Sequence, residues 1–198
     1  AGGLTVDGAP VKGPLVEVID AETAGRAIAV ANPGDKAQTL TLTTFGVPEV
    51  PEPAGGKGWS ISRSWYTLEG DPADPATVQQ GTRLVAVLEI SPLGPQDARL
   101  MVDDPLPAGF EIDNPNLIRG GDIAALDWLE VAENTRMTEF RQDRFLAAID
   151  AHGDRPFRLA YIVRAVSPGR FHLPAASVAD MYRPEMRAQS DAGEVVIE

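Results

Sequence analysis

Apolar residues in this chain recur at every second position, in short runs that Pro and Gly keep interrupting. Successive side chains of an extended strand point to opposite faces, so such alternation gives each strand one apolar face. Trp59-Ser-Ile-Ser-Arg-Ser-Trp-Tyr-Thr-Leu68 places Trp59, Ile61 and Trp65 together. Phe157-Arg-Leu-Ala-Tyr-Ile-Val-Arg-Ala-Val166 alternates too, and ends at the turn Ser167-Pro-Gly-Arg170. Thr82-Arg-Leu-Val-Ala-Val-Leu-Glu-Ile90 is apolar on both sides, which suits a central strand. With 19 Gly and 17 Pro in 198 residues, turns between short strands are easier to build than long helices.

Other segments extend the pattern. Ala98-Arg-Leu-Met-Val102 reads as a strand closed by Asp103-Asp-Pro-Leu-Pro-Ala-Gly109, whose prolines forbid helix. Arg136 to Arg141 and Phe145 to Ile149 read as paired strands, Phe171-His-Leu-Pro174 opens another, and Glu194-Val-Val-Ile197 is the last. One helix is expected, Asp122 to Glu130, with Asp122 as cap and Ile123, Leu126 and Leu129 at helical spacing. No βαβ alternation is sustained, so the expected class is mainly β, an immunoglobulin-like antiparallel sandwich preceded by a small β segment.

That small segment is set apart by composition. Pro14-Leu-Val-Glu-Val-Ile19 and Ala27-Ile-Ala-Val30 are short apolar runs, and Asn32-Pro33-Gly34-Asp35 is a turn signal. Gln38-Thr-Leu-Thr-Leu-Thr-Thr44 alternates strictly, predicting a hairpin that buries Leu40 and Leu42. Pro48-Glu-Val-Pro-Glu-Pro-Ala-Gly-Gly-Lys-Gly58 then breaks all periodicity and reads as a linker, dividing the chain into residues 1–50 and 51–198.

Charge and composition remove whole classes of function. A net charge of −12 repels phosphate backbones, so nucleic acid is a poor partner. With no cysteine, disulfides, zinc–thiolate sites and cysteine nucleophiles are excluded. No apolar stretch is long enough to span a bilayer, so direct membrane contact is not expected. The start on Ala-Gly-Gly suggests a piece of a longer protein, with any export signal elsewhere.

Catalytic motifs are missing. There is no Gly-x-Ser-x-Gly, no phosphate loop ending in Lys-Ser/Thr and no His-Glu-x-x-His. His152 lies in a hydrophilic turn, and His172 in a strand faces away from Phe171 and Leu173. Asp71 and Asp74, Asp103 and Asp104, and Glu111 and Asp113 could offer oxygens to calcium but lack EF-hand spacing; carboxylates in turns and at edges are the simpler reading. No catalytic residue, cofactor or metal is expected.

Val178-Ala-Asp-Met-Tyr-Arg-Pro-Glu-Met-Arg-Ala188 follows a strand and contains Pro184, so it should be a loop. Met181, Tyr182 and Met186 on a loop either plug one end of the sandwich or, in the case of Met181 and Tyr182, project to a neighbour. The residues alone leave both open.

Six stretches in order resemble the last macroglobulin-like domain of bacterial alpha-2-macroglobulins. They are Trp59 to Gly70, Gln80 to Leu88, Leu106-Pro-Ala-Gly-Phe-Glu-Ile-Asp-Asn-Pro-Asn-Leu117, Asp143 to Ala148, Tyr161 to Gly169 and Ala179-Asp-Met-Tyr-Arg-Pro-Glu-Met-Arg-Ala188. Residues 1 to 50 resemble the returning strands of the CUB-like β-domain that precedes it, half of a domain with an exposed sheet edge. The resemblance implies a macroglobulin-like sandwich from a periplasmic protease trap, whose parent is often tethered to the inner membrane by an N-terminal lipid. A cut bait segment and a Cys-Gln thioester do the trapping in that family. This chain has no cysteine and no identifiable bait segment, so the covalent chemistry lies elsewhere in the parent or is absent, as in members that lack a thioester.

The resemblance also gives the loop a role. Met181 and Tyr182 match a Met-Tyr pair that, in the thioester-bearing members of the family, packs on the thioester and excludes water from it, and Arg183 and Pro184 continue the motif. Implied partners are the thioester domain and neighbouring macroglobulin-like domains of the parent, and target proteases through the parent. The competing expectation is a stand-alone adhesive sandwich that binds carbohydrate or protein through Trp59, Trp65 and Tyr66.

Overall fold

Every regular element among the described residues is a β-strand. The computed structural model describes residues 3–13, 16, 18, 25, 27–43, 50–113 and 135–198. It falls into two units, Ala1–Val47 and Pro48–Glu198. The helix expected over Asp122 to Glu130 lies outside the described residues.

In the first unit a small sheet has the order β2-β1-β3, from β1 (Thr5–Val6), β2 (Ala9–Pro10) and β3 (Val30–Ala31). Asp7 and Gly8 turn the hairpin with φ of 49° and 81°, the paired positive values of a twisted two-residue turn. The Ala29 amide donates to Asp7 Oδ1 at 2.9 Å, and the Asn32 side chain caps the next turn by accepting from the Gly34 amide at 3.2 Å. The expected burial of Leu40 and Leu42 is wrong: they are 62% and 72% exposed and lie in no strand. Alternation specifies which side chains share a face, but a strand also needs a partner for its amides and a surface for that face. The described part of this unit offers Leu40 and Leu42 neither.

The second unit is an antiparallel sandwich. One sheet has the order β5-β7-β12-β9, from β5 (Trp59–Tyr66), β7 (Arg83–Pro92), β9 (Phe110–Ile112) and β12 (Phe157–Ala165). The other runs β10-β11-β8-β14-β15-β4. Its strands are β4 (Gly55–Gly56), β8 (Ala98–Pro105), β10 (Thr135–Phe140), β11 (Arg144–Ala151), β14 (Ser177–Asp180) and β15 (Arg187–Gln189). A third sheet is β13 (Gly169–Leu173), β16 (Gly193–Ile197) and β6 (Thr77–Val78), with β6 parallel to β16.

The inner faces follow the alternation. Trp59, Ile61 and Trp65 of β5 join Leu84, Leu88 and Ile90 of β7 and Leu159 and Val163 of β12. Leu100 and Val102 of β8, Phe145 and Ile149 of β11 and Val178 of β14 complete the same core. β7 is apolar on both sides because Val85 and Val87 build a second cluster with Ile162 on its outer face, where Tyr66 and Leu68 also pack.

A polar group sits inside this core. Arg63 and Asp104 both occupy inward positions and form an ion pair between the sheets, with side chains 4% and 0% exposed. The Tyr161 hydroxyl donates to the second carboxylate oxygen at 2.5 Å, and Arg63 Nη2 donates to the Pro174 carbonyl at 2.7 Å. Tyr161 stacks on Phe145 with ring centres 4.6 Å apart, and Arg63 lies 5.5 Å from the Trp65 ring centre. Burial pushes the Asp104 carboxyl above its usual range, while Arg63 and Tyr161 pull it back. Burial, followed by the Asp104 charge, raises the Tyr161 phenol well above its ordinary value, so it remains a neutral donor.

The expectation of a turn carboxylate at Asp104 is thereby corrected: β8 continues through Asp103 and Asp104 to Pro105, and Asp104 is buried against Arg63.

Candidate functional site

The segment from Val178 to Ala188 is partly strand: β14 runs to Asp180, and Arg187 begins β15. Between them the chain reverses in a tight loop. The Asp180 amide donates to the Met186 carbonyl at 3.0 Å and closes it, while the Met186 amide donates to the Arg183 carbonyl at 2.8 Å inside it. The Met181 amide donates to the Arg99 carbonyl of β8 at 2.8 Å.

β14 alternates, so Val178 and Asp180 both point inward, and Asp180 is 2% exposed. Its carboxylate turns back under the loop. Oδ1 accepts the Tyr182 amide at 2.9 Å and the Arg183 amide at 3.3 Å, and Oδ2 accepts Arg183 Nε at 2.7 Å. Burial alone would raise this carboxyl, but the Tyr182 amide and the Arg183 guanidinium outweigh it and hold it below the usual range. It is therefore ionised at neutral pH.

The three apolar side chains of the loop part company. Met186 packs against the core beside Gly58, where φ is +76° and a Cβ would lie 2.2 Å from Met186 Cε. Met181 and Tyr182 point outward, 51% and 75% exposed. Arg183 lies along the surface, 45% exposed, where Nη2 also donates to the Asp97 carbonyl at 2.9 Å. Asp180, the residue that organises the loop, escaped the sequence reading; its inward parity with Val178 was the available signal.

The surface beside the loop is charged. Arg99 Nε donates to Asp150 at 2.9 Å, and Arg136 Nε reaches the same carboxylate at 2.6 Å. Arg99 also lies within hydrogen-bonding reach of the Tyr182 side chain. The Arg99 hydrogen bond, then that of Arg136, holds Asp150 below the usual carboxylate range.

The other residues singled out by sequence do not assemble a site. Asp103 pairs with Arg144 at 3.1 Å, Asp113 with Arg83 at 2.7 Å, and Asp74 caps the Ala76 amide at 2.9 Å. His152 lies 3.3 Å from Asp97 at the surface, and His172 is exposed on β13. Among the described residues no three His, Asp or Glu side chains gather closely enough to hold a metal ion. Trp59 and Trp65 are 1% and 7% exposed and Tyr66 is half-buried, so the two tryptophans of the competing glycan-binding expectation belong to the core and not to a surface platform.

A family profile described as the bacterial alpha-2-macroglobulin MG10 domain matches residues 58–185. The chain belongs to the bacterial alpha-2-macroglobulin family. The matched span contains the sandwich strands from β5 to β14 and the loop residues Met181, Tyr182 and Arg183. Alpha-2-macroglobulin of Xylella fastidiosa (strain 9a5c) is 32% identical over 176 residues, covering 85% of this chain and 11% of that protein.

Among solved structures, native Escherichia coli alpha-2-macroglobulin from domain MG7 to the C-terminus superposes with a TM-score of 0.67 and 25% identity. That match covers 77% of this chain and 25% of the other. Salmonella alpha-2-macroglobulin reacted with methylamine gives a TM-score of 0.67 and 27% identity over 77% of this chain and 10% of that one. The chain thus spans about a tenth of the length of its Xylella relative. Its sandwich is a macroglobulin-like fold, and the family is one of protease inhibitors.

Proposed function

We propose that this chain serves an alpha-2-macroglobulin protease trap as a non-catalytic docking domain whose loop, through Met181 and Tyr182, covers the thioester of a neighbouring domain. One observation carries the reading. A loop tied down by a buried aspartate holds a methionine and a tyrosine out to solvent, while the third apolar residue, Met186, is folded into the core. A loop built only to close the sandwich would fold all three inward.

Met and Tyr suit the task chemically. Both offer large apolar surface, and an apolar cover excludes the water that would hydrolyse an acyl–sulfur bond. Methylamine is a small nucleophile of the kind that opens such a bond, and a Salmonella relative has been crystallised after reaction with it. In this reading residues 1–50 are the returning strands of a CUB-like domain and residues 51–198 the last macroglobulin-like domain. The parent acts in the periplasm, anchored to the inner membrane by an N-terminal lipid. Target proteases meet the parent, and this chain meets the thioester domain and neighbouring macroglobulin-like domains.

The test is the survival of the thioester in the full-length parent, followed by release of free thiol. Replacing Met181 and Tyr182 together by Ala should speed that release at least several-fold without protease. An unchanged rate would exclude the covering role.

A further inference from the structure

We propose that Asp180 is the positioning residue of this loop: its buried carboxylate fixes the backbone at Tyr182 and Arg183, and so holds Tyr182 in the presented geometry beside Met181. The role of that geometry rests on the docking reading above, but the anchoring itself does not.

Three features of the loop support the assignment. Its two ends are fixed independently, by the Met181 amide on the β8 carbonyl of Arg99 and by Met186 in the core. Between them, Tyr182 is 75% exposed and has no burial to hold it. What fixes its backbone is Asp180 Oδ1, which accepts both the Tyr182 and the Arg183 amides.

Oδ2 completes the arrangement. It takes Arg183 Nε at 2.7 Å, and the same guanidinium reaches the Asp97 carbonyl, so the carboxylate also ties the loop to the turn before β8. An inward strand position at 2% exposure would ordinarily hold an apolar residue, as Val178 does two positions earlier. A carboxylate there is costly unless every oxygen is occupied, and here both are taken by the loop itself.

The consequence is preorganisation. A loop that must order its side chains on contact loses affinity to that ordering, whereas one already held does not. Asp180 would thus set how well Tyr182 seats on its partner without touching the partner.

The anchor can be read by hydrogen exchange of the Tyr182 and Arg183 amides in the folded chain. Asp180→Ala should accelerate both by roughly tenfold or more, as expected for loss of hydrogen bonds to a charged acceptor. Asp180→Asn keeps an oxygen acceptor and should fall between, while amides of β7 and β12 stay as protected as before. Unchanged exchange at Tyr182 and Arg183 would overturn the assignment. Should the alanine variant fail to fold, Arg183→Gln removes the charged bond on Oδ2 and should loosen the same two amides.

A second arm uses the full-length parent. Asp180→Ala should shorten thioester survival as Tyr182→Ala does, and the double variant should be no worse than either, because both act through one contact. A parent sensitive to Tyr182→Ala and indifferent to Asp180→Ala would refute positioning. Indifference to Tyr182→Ala would instead defeat the docking reading, and the exchange measurement would still decide the anchor.

Discussion

Arg63 of β5 donates across the sandwich to Asp104 of β8, and neither side chain is more than 4% exposed. Each is the other's charge partner, and Tyr161 supplies the remaining bond to the carboxylate. The two sheets are therefore registered by a small polar cluster within an apolar core, Arg63 and Tyr161 of one sheet meeting Asp104 of the other.

Removing one member should cost far more than removing the pair. Asp104→Leu leaves a guanidinium buried without its counter-charge, a loss of about 3–5 kcal/mol. Adding Arg63→Met to Asp104→Leu should restore much of that, since a buried pair and apolar residues of similar volume are often of comparable stability. Tyr161→Phe should cost about 1–3 kcal/mol through one unsatisfied oxygen. Denaturant unfolding of the four proteins measures each value, and a double variant no better than Asp104→Leu would contradict the coupling.

The loop residues should separate by role. Met186→Ala removes packing against the core and should cost about 2 kcal/mol. Tyr182→Ala, at an exposed position, should change stability by less than about 0.5 kcal/mol. Thermal unfolding checks both, and a large loss for Tyr182→Ala would mean that the side chain supports the fold.

Gly56 makes a steric prediction. A Cβ there would lie 2.3 Å from the Trp59 carbonyl oxygen and 2.5 Å from Ala188 Cβ on the neighbouring β15. Neither neighbour is a flexible side-chain end, so β4 and β15 must separate to admit it. Gly56→Ala should destabilise by about 1–3 kcal/mol, and an unchanged unfolding midpoint would show that the sheet edge yields freely.

Asp150 gives a pH dependence. Its carboxyl is held below the ordinary 3.8 by the Arg99 hydrogen bond first and that of Arg136 next. A folded-state value below the unfolded one means that the folded state takes up its proton later as pH falls. The contribution is therefore complete above the unfolded value and is lost as pH drops below 3.8 towards the folded one. Asp150→Asn should flatten that part of the stability curve on acidification from about pH 5 to about pH 3. Parallel curves for the two proteins would contradict the assignment.

Much of the sandwich could be read from periodicity, because two packed sheets leave a period of two in every strand they bury. Trp59, Ile61 and Trp65 obey it, and β7 breaks it because Val85 and Val87 are buried on the outer face as well. The charged members of the inner faces were harder to see. Arg63 shares the parity of Ile61 and Trp65, and Asp104 that of Leu100 and Val102, but Asp104 precedes Pro105 and so looks like the start of a turn.

Asp180 was hidden in the same way by the loop that follows it. Parity identifies such residues only once the strand is known to continue. Leu40 and Leu42 fail in the opposite sense, since alternation predicts a face but not the surface it meets.

The most direct measurement follows the reaction of Met181 with peroxide, read by peptide mass spectrometry, with Met137 as the reference. In this chain the two are similarly open, at 51% and 49% exposure. Docking of the loop predicts that Met181 oxidises readily in the isolated chain, becomes protected relative to Met137 in the native full-length parent, and is released again after protease treatment. Equal oxidation of Met181 in the isolated chain and the native parent would contradict it.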